Sequence, residues 1–398
     1  MKNNDTHHDA RKNVWLLSAC QALLLTNGVT LIAVSALAGQ MLASNKALAT
    51  LPATAYVIGS WCSTVPASLY MKRVGRRSGF LTGAGFGLVA SLVTSTAMGV
   101  GSFALLCVGT FLFGIYNAFG QYYRFAAADA APADFKAKAI SYVLAGGLVG
   151  GIVGPALSRW TRELAQPPFM ATYASLAIFT LISMVVLSRL RIPDGANDAA
   201  QGEVRPMCEI AAQPTFIVAA TVAAFGYATM TLLMTATPLA MGFCGHPYGA
   251  AATVISSHVI GMFAPSFVTG SLIKRFGVLT VMGTGVALLF TCIGIALSGQ
   301  EIPHFWWALV LLGVGWNFTY VGGSTLLTEA YRPSERAKVQ GANEMIVFTV
   351  QAMAAFSSGV LVNARGWNTL NYVAIPMVTV CAIAVTWLVM KRRQSRPT

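Results

Sequence analysis

Charge is what this sequence has least of. Asp and Glu together number 13 in 398 residues, and charged residues of both signs make up 10%, against about 25% in a typical soluble protein. A soluble fold cannot cover side chains that are 56% hydrophobic with so little polar surface. A cytosolic enzyme, a disulfide scaffold and a disordered chain are therefore excluded, and the solvent left is lipid. A phosphate-binding Gly-Lys-Ser/Thr loop is absent, which argues against ATP-driven pumping. Cys-x-x-Cys is absent too, and no soluble catalytic set is present, so no enzyme and no cofactor are expected. The seven cysteines are scattered. Five, at Cys20, Cys62, Cys107, Cys292 and Cys381, lie in apolar stretches, where a thiol is a small filler.

What is present is long apolar runs. A helix needs about 20 mostly apolar residues to cross a bilayer core. Twelve stretches meet this: 14–38, 48–71, 79–99, 103–126, 139–160, 168–188, 214–240, 249–272, 278–299, 305–329, 339–363 and 368–390. They are too long and too continuously apolar for barrel strands. The expected fold is an all-α membrane protein with 12 transmembrane helices. The first stretch ends in Ala36-Leu37-Ala38, which resembles a signal-cleavage site, but its apolar run exceeds a signal's core, and it is read as a retained span.

The net charge of +13 comes from 26 Lys and Arg. On a soluble protein it would suggest nucleic acid. Here the basic residues fall 22 on one side of the spans and 4 on the other (Lys46, Arg159, Arg162 and Arg365). That asymmetry places both termini in the cytoplasm. The lipid bilayer is the partner and nucleic acid is not.

The long connection 189–213 carries Pro193, Gly195, Gly202 and Pro206 among mixed charges and reads as a cytoplasmic linker. It divides residues 1–188 from 214–398, six spans from six. The halves echo each other. Lys72-Arg73-Val74-Gly75 closes the second stretch, and Lys274-Arg275-Phe276-Gly277 closes the eighth, 202 positions on. Asp129 to Pro132 is echoed by Glu329 to Pro333. Two pseudo-symmetric six-helix bundles with a pathway between them are expected. This organisation resembles the major facilitator superfamily over the whole chain. Its basic turn Lys72-Arg73-Val74-Gly75-Arg76-Arg77 looks like that superfamily's loop, although Lys72 and Lys274 stand where the family usually has an acid. The turn is read as a topology anchor and a helix break at Gly75. The glycine-rich run Gly146 to Gly154 is read as a close-packing helix face.

The scarcity of polar groups makes one set stand out. Met230 and Met234 share a helix face four residues apart, as do His258 and Met262 on the next stretch. Met230 and His258 both fall roughly 14–15 Å below the outer interface at 1.5 Å per residue. His258 is the only histidine inside a stretch, and an ionisable group at mid-membrane is usually functional. Thioethers and an imidazole suit Cu(I) over hard cations. Met241, Cys244 and His246 form an outer mouth, the first donors an ion would meet. Met-x-x-x-Met in the seventh span with His-x-x-x-Met in the eighth resembles the CcoA-like copper importers of bacteria. That resemblance implies copper as the transported substrate, import through the inner membrane, supply of cbb3-type cytochrome oxidase assembly, and a cytoplasmic copper-accepting protein as partner. Met230, Met234, His258 and Met262 are then the metal-handling residues.

The same subgroup resembles riboflavin transporters, and a small aromatic organic substrate such as riboflavin is the alternative. Its support is polar and aromatic: Asn117, Gln121, Tyr122, Tyr123 and Arg124 in the fourth stretch, Trp316, Asn317 and Tyr320 in the tenth, and Gln340, Asn343 and Glu344 in the eleventh. Arg124 and Glu344, near the cytoplasmic ends of their stretches, are read either as a gating ion pair or as two snorkelling side chains.

Overall fold

A computed structural model of the chain describes residues 2–44, 48, 51–132, 134–191 and 205–394. Most of the linker, 192–204, and Lys46 lie outside the described residues. Every regular element among the described residues is helical. In the amino-terminal part these are α1 (Lys2–Leu42), α2 (Leu51–Val74), α3 (Arg76–Val100), α4 (Phe103–Gly120), α5 (Tyr123–Asp129), α6 (Lys136–Ala145), α7 (Gly147–Thr161) and α8 (Met170–Ser188). They are followed by α9 (Met207–Ala211), α10 (Pro214–Phe243), α11 (Tyr248–Phe263), α12 (Ser266–Phe276), α13 (Val278–Ser298), α14 (Ile302–Leu327) and α15 (Arg336–Gln394). α15 is two helices joined at Gly366, whose φ of 75° and ψ of −178° break the ladder.

Each of the twelve apolar stretches is built mainly of helix over its described residues, with breaks inside three of them at 121–122, 146 and 264–265. Among the described residues, nine helices are long and apolar enough to cross a membrane, and ten if α11 and α12, bent by 40°, count as one span. α2 and the first part of α15 both carry buried polar side chains, Ser60, Thr64 and Ser68 on α2 and Gln340, Asn343 and Glu344 on α15.

The chain forms two compact units, Met1–Pro132 with Gly146–Gly202, and Ala133–Ala145 with Glu203–Thr398. α6, the first part of the fifth stretch, thus belongs to the second unit, while its continuation α7 belongs to the first. Within the first unit α1 packs on α7 and α8, α2 on α4, and α3 on α4 and α8. The glycine-rich run serves the α1–α7 contact. A Cβ on Gly150 would lie 2.7 Å from the Thr26 nitrogen, and the Thr30 hydroxyl donates to the Gly154 carbonyl at 3.1 Å. Asn13 clasps the far end of the unit, donating to the Arg191 carbonyl at 2.9 Å and accepting from its N–H at 3.2 Å.

In the second unit α10 packs on α14 and on the first part of α15, α11 and α13 pack on α14, and α12 packs on α6. The linker's end is fixed here. Arg205 holds Glu335 with two charge-assisted hydrogen bonds, Nε to Oε1 at 2.7 Å and Nη2 to Oε2 at 2.6 Å. Glu335 is fully buried. The Arg205 guanidinium is the main cause that holds this carboxyl down to about 2, from an ordinary 4.5.

The repeated basic turn repeats in conformation. Gly75 (φ 84°, ψ 158°) separates α2 from α3, and Gly277 (φ 87°, ψ 151°) separates α12 from α13. Both sit in a region that L side chains avoid, so each ends one helix and starts the next. The acidic echoes are both paired with arginine: Asp129 with Arg76 at 3.1 Å, and Glu329 with Arg392 at 2.7 Å.

Candidate functional site

In the second unit α14 is the ruler against which the other helices are placed. A Cβ on Gly226 of α10 would meet the Thr319 hydroxyl at 2.7 Å. On α11, His258 Nδ1 donates to the Leu309 carbonyl at 2.7 Å, and a Cβ on Gly313 would lie 2.8 Å from the Met262 nitrogen. Ten residues of α14, about 15 Å, separate the Thr319 and Leu309 levels. Met230 is one turn outward of Gly226, so it stays about 9 Å short of the His258 level. By the same ruler Met234 comes within about 3 Å of the His258 level and Met262, at the Gly313 level, falls between Met230 and Met234, so the two pairs overlap in depth and His258 alone lies outward of both α10 methionines. Counting from helix ends missed this because the register is set by glycine contacts with a third helix. Met230 and Met262 are buried, Met234 is half-buried, and the His258 side chain is 0% exposed.

Two of the outer-mouth residues share one partner, Gln300. Cys244 Sγ donates to Gln300 Oε1 at 3.2 Å, and His246 Nε2 donates to the Gln300 carbonyl at 2.7 Å. The His246 ring also stands edge-on to Phe305, with centroids 6.0 Å apart. Met241 is buried, and its carbonyl accepts from the His246 N–H at 3.0 Å. Burial first, and then the negative charge of Glu301, push the Cys244 thiol above its ordinary 9.0, which disfavours the thiolate that metals bind. Among the described residues no group of three or more His, Cys, Asp or Glu is placed to hold a metal.

What does converge is aromatic. Trp316 and Tyr320 stack on α14 at 4.9 Å and 20°. Tyr227 of α10 stands edge-on to both, at 5.4 Å from Trp316 and 5.2 Å from Tyr320. Phe263 of α11 meets Trp316 edge-on at 5.9 Å. Four rings from three helices thus form one cluster. Trp316 and Tyr320 were legible as an i, i+4 pair. Tyr227 and Phe263 were missed, and a lone tyrosine in the aliphatic run of α10 was the signal available. Beside the cluster, Asn317 donates to the Met262 carbonyl at 2.7 Å and to Ser266 Oγ, and accepts from Thr269 Oγ1 at 2.7 Å.

Three buried polar atoms near this face have no hydrogen-bond partner: Trp316 Nε1, Thr231 Oγ1 and His258 Nε2. Thr231 departs from its neighbours. Thr229 and Thr237 bond back to the carbonyls four residues earlier, both at 2.8 Å. Each unpaired buried polar group costs about 1–3 kcal/mol.

In the first unit the polar residues of the fourth stretch form one chain of hydrogen bonds. Arg124 Nη1 donates to Gln121 Oε1 at 3.2 Å, Gln121 Nε2 to Asn117 Oδ1 at 3.2 Å, and Asn117 Nδ2 to Ser60 Oγ at 3.1 Å. Arg124 also lies over the Phe125 ring at 4.5 Å. Tyr122 donates to the Thr64 carbonyl at 2.7 Å, and Tyr123 packs edge-on to Phe80. Arg124 is buried in the first unit and Glu344 in the second.

The sequence matches the family model of the Major Facilitator Superfamily over residues 15–254 and 219–398. It is 41% identical over 377 residues to the Riboflavin transporter RfnT of Brucella anthropi, covering 94% of this chain and 95% of that protein. It is 28% identical over 380 residues to the uncharacterized MFS-type transporter YdeG of Bacillus subtilis, covering 91% and 88% of the two chains. Among solved structures, the E. coli fucose:proton symporter FucP superposes with a TM-score of 0.76 at 14% identity, over 94% of this chain and 98% of that one. The proton:xylose symporter XylE gives 0.78 at 11% identity, over 93% and 94%.

The relative at 41% identity overturns the expectation of copper import, since it is a riboflavin transporter matched over nearly its full length. The soft-donor reading of Met230, Met234, His258 and Met262 loses its substrate. The oxidase supply and the copper-accepting partner implied by the same resemblance go with it. Both motifs are intact in this chain, and they do not decide what it carries.

Proposed function

Given that the chain belongs to the Major Facilitator Superfamily, and is therefore a transporter and not an enzyme, we propose that it takes up riboflavin through the bacterial inner membrane by alternating access of two six-helix halves. The observation that carries this reading is the 41% identity to a riboflavin transporter over 94% of the chain. The four-ring cluster of Tyr227, Phe263, Trp316 and Tyr320 supports it, because a planar tricyclic ring packs on aromatic faces at separations like those the cluster already uses. The unpaired Trp316 Nε1 and Thr231 Oγ1 offer polar contacts to a substrate with carbonyls, ring nitrogens and hydroxyls. The 22-to-4 distribution of basic residues supports both termini in the cytoplasm.

The test is complementation. A riboflavin-auxotrophic bacterium lacking its own flavin transporter should grow on low external riboflavin when it expresses this chain. Growth no better than the empty-vector control, with the protein present in the membrane, rejects the reading.

A further inference from the structure

His258 is the residue that the copper reading singled out and then left without a role. Its side chain is fully buried, and Nδ1 bonds to the Leu309 carbonyl at 2.7 Å. A carbonyl oxygen can only accept, so Nδ1 carries the hydrogen. In the neutral ring Nε2 is then a bare acceptor, and it has no partner. Burying such an atom in a membrane-embedded bundle is unfavourable unless something fills it for part of the cycle. Trp316 Nε1 is the complementary case, an obligatory donor that is 2% exposed and also unpartnered.

The two atoms are related by α14. Leu309, which fixes His258, and Trp316 are seven residues apart, which is two turns and about 10 Å along one helix face. The aromatic cluster occupies the Trp316 level, and His258 lies outward of it. A ligand that meets both must be long, aromatic at one level, and able to donate a hydrogen bond at the other.

We propose that His258 Nε2 is a substrate-binding atom that accepts a hydrogen bond from an N–H or O–H group of the flavin, while the tricyclic ring packs on Tyr227, Phe263, Trp316 and Tyr320 and takes a hydrogen bond from Trp316 Nε1. This rests on the riboflavin reading. The donor has two possible sources in riboflavin, the imide N–H of the ring and the hydroxyls of the ribityl chain, and the acceptor chemistry of Nε2 is common to both.

The test is a binding titration by quenching of flavin fluorescence, on the purified full chain in nanodiscs. The ligands are riboflavin, 3-methylriboflavin, which lacks the imide hydrogen, and lumiflavin, which lacks the ribityl hydroxyls. One of the analogues should bind the unaltered protein about tenfold or more weaker than riboflavin, the loss expected when a buried acceptor goes unpaired. His258→Leu should weaken riboflavin by a similar factor and leave that same analogue unchanged. If both analogues bind the unaltered protein as tightly as riboflavin, no donor is read and the proposal is overturned, whether or not the variant folds. It is equally overturned if His258→Leu binds riboflavin normally, or weakens all three ligands alike. Absence of riboflavin binding to the unaltered protein rejects the functional reading itself, and this inference with it.

Discussion

Asn117 and Asn317 stand 200 positions apart and staple their units in the same way. Each is buried, and each donates from Nδ2 to a serine on a neighbouring helix, Asn117 to Ser60 at 3.1 Å and Asn317 to Ser266. The repeat that the basic turns show at the surface is therefore also written in the core. Asn317 is the more heavily used, with a second donation to the Met262 carbonyl and a bond from Thr269. Asn317→Ala should destabilise the protein by about 1–3 kcal/mol, and Asn117→Ala by less. Thermal unfolding in detergent reads the order, and equal losses would contradict it.

The two turn glycines make a matched pair of a different kind. Gly75→Ala and Gly277→Ala force an L side chain to positive φ and should each cost about 1–2 kcal/mol. Gly85→Ala is the control, since a Cβ there meets nothing within 4 Å. A helical Gly-to-Ala change at such an open site is neutral or stabilising. Unfolding midpoints of the three variants separate backbone strain from lost packing.

Glu335 sets an acid-side dependence. Its folded value of about 2 lies below the ordinary 4.5, so its contribution is fully present above pH 4.5. It is lost as pH falls from there through 2. The stability gap between the unaltered protein and Glu335→Gln should be constant from pH 7 to 5 and should narrow below pH 4.5. A gap that widened on acidification would reverse the sign and contradict the Arg205–Glu335 pairing as its cause.

The legible and illegible parts of this molecule divide along physical lines. Lipid forces long apolar runs, so the helices at 14–38 through 368–390 could be read directly, while the facilitator fold came from the resemblance of the repeated basic turns at Lys72 and Lys274 to that superfamily's loop. Gly75 and Gly277 were readable because a repeated glycine after a basic run has few other uses. The depth of His258 was not readable. It depends on which α14 carbonyl the ring reaches, and helix ends do not encode that. Tyr227 and Phe263 were lost for the same reason, because their meaning lies in contact with Trp316 across helices. The methionine and histidine motifs misled about substrate. Spacing on one helix reports a shared face, and it does not report what that face binds.

Copper provides a direct contrast. Cells expressing the chain should accumulate no more radiocopper than control cells, and Met230→Ala, Met234→Ala and Met262→Ala should leave that baseline unchanged. Trp316→Ala, which opens the centre of the ring cluster, should reduce flavin uptake about tenfold or more, in line with the cost of removing a buried aromatic anchor. Copper accumulation above control, abolished by the methionine changes, would restore the reading that the riboflavin relative displaced.

The central claim is flavin transport by this chain alone. Its most direct test is flux of labelled riboflavin into proteoliposomes that contain only the purified protein. The account predicts saturable uptake above protein-free vesicles, competed by unlabelled riboflavin and depressed in Trp316→Ala. Flux equal to that of protein-free vesicles, from protein that is folded and inserted, would contradict it.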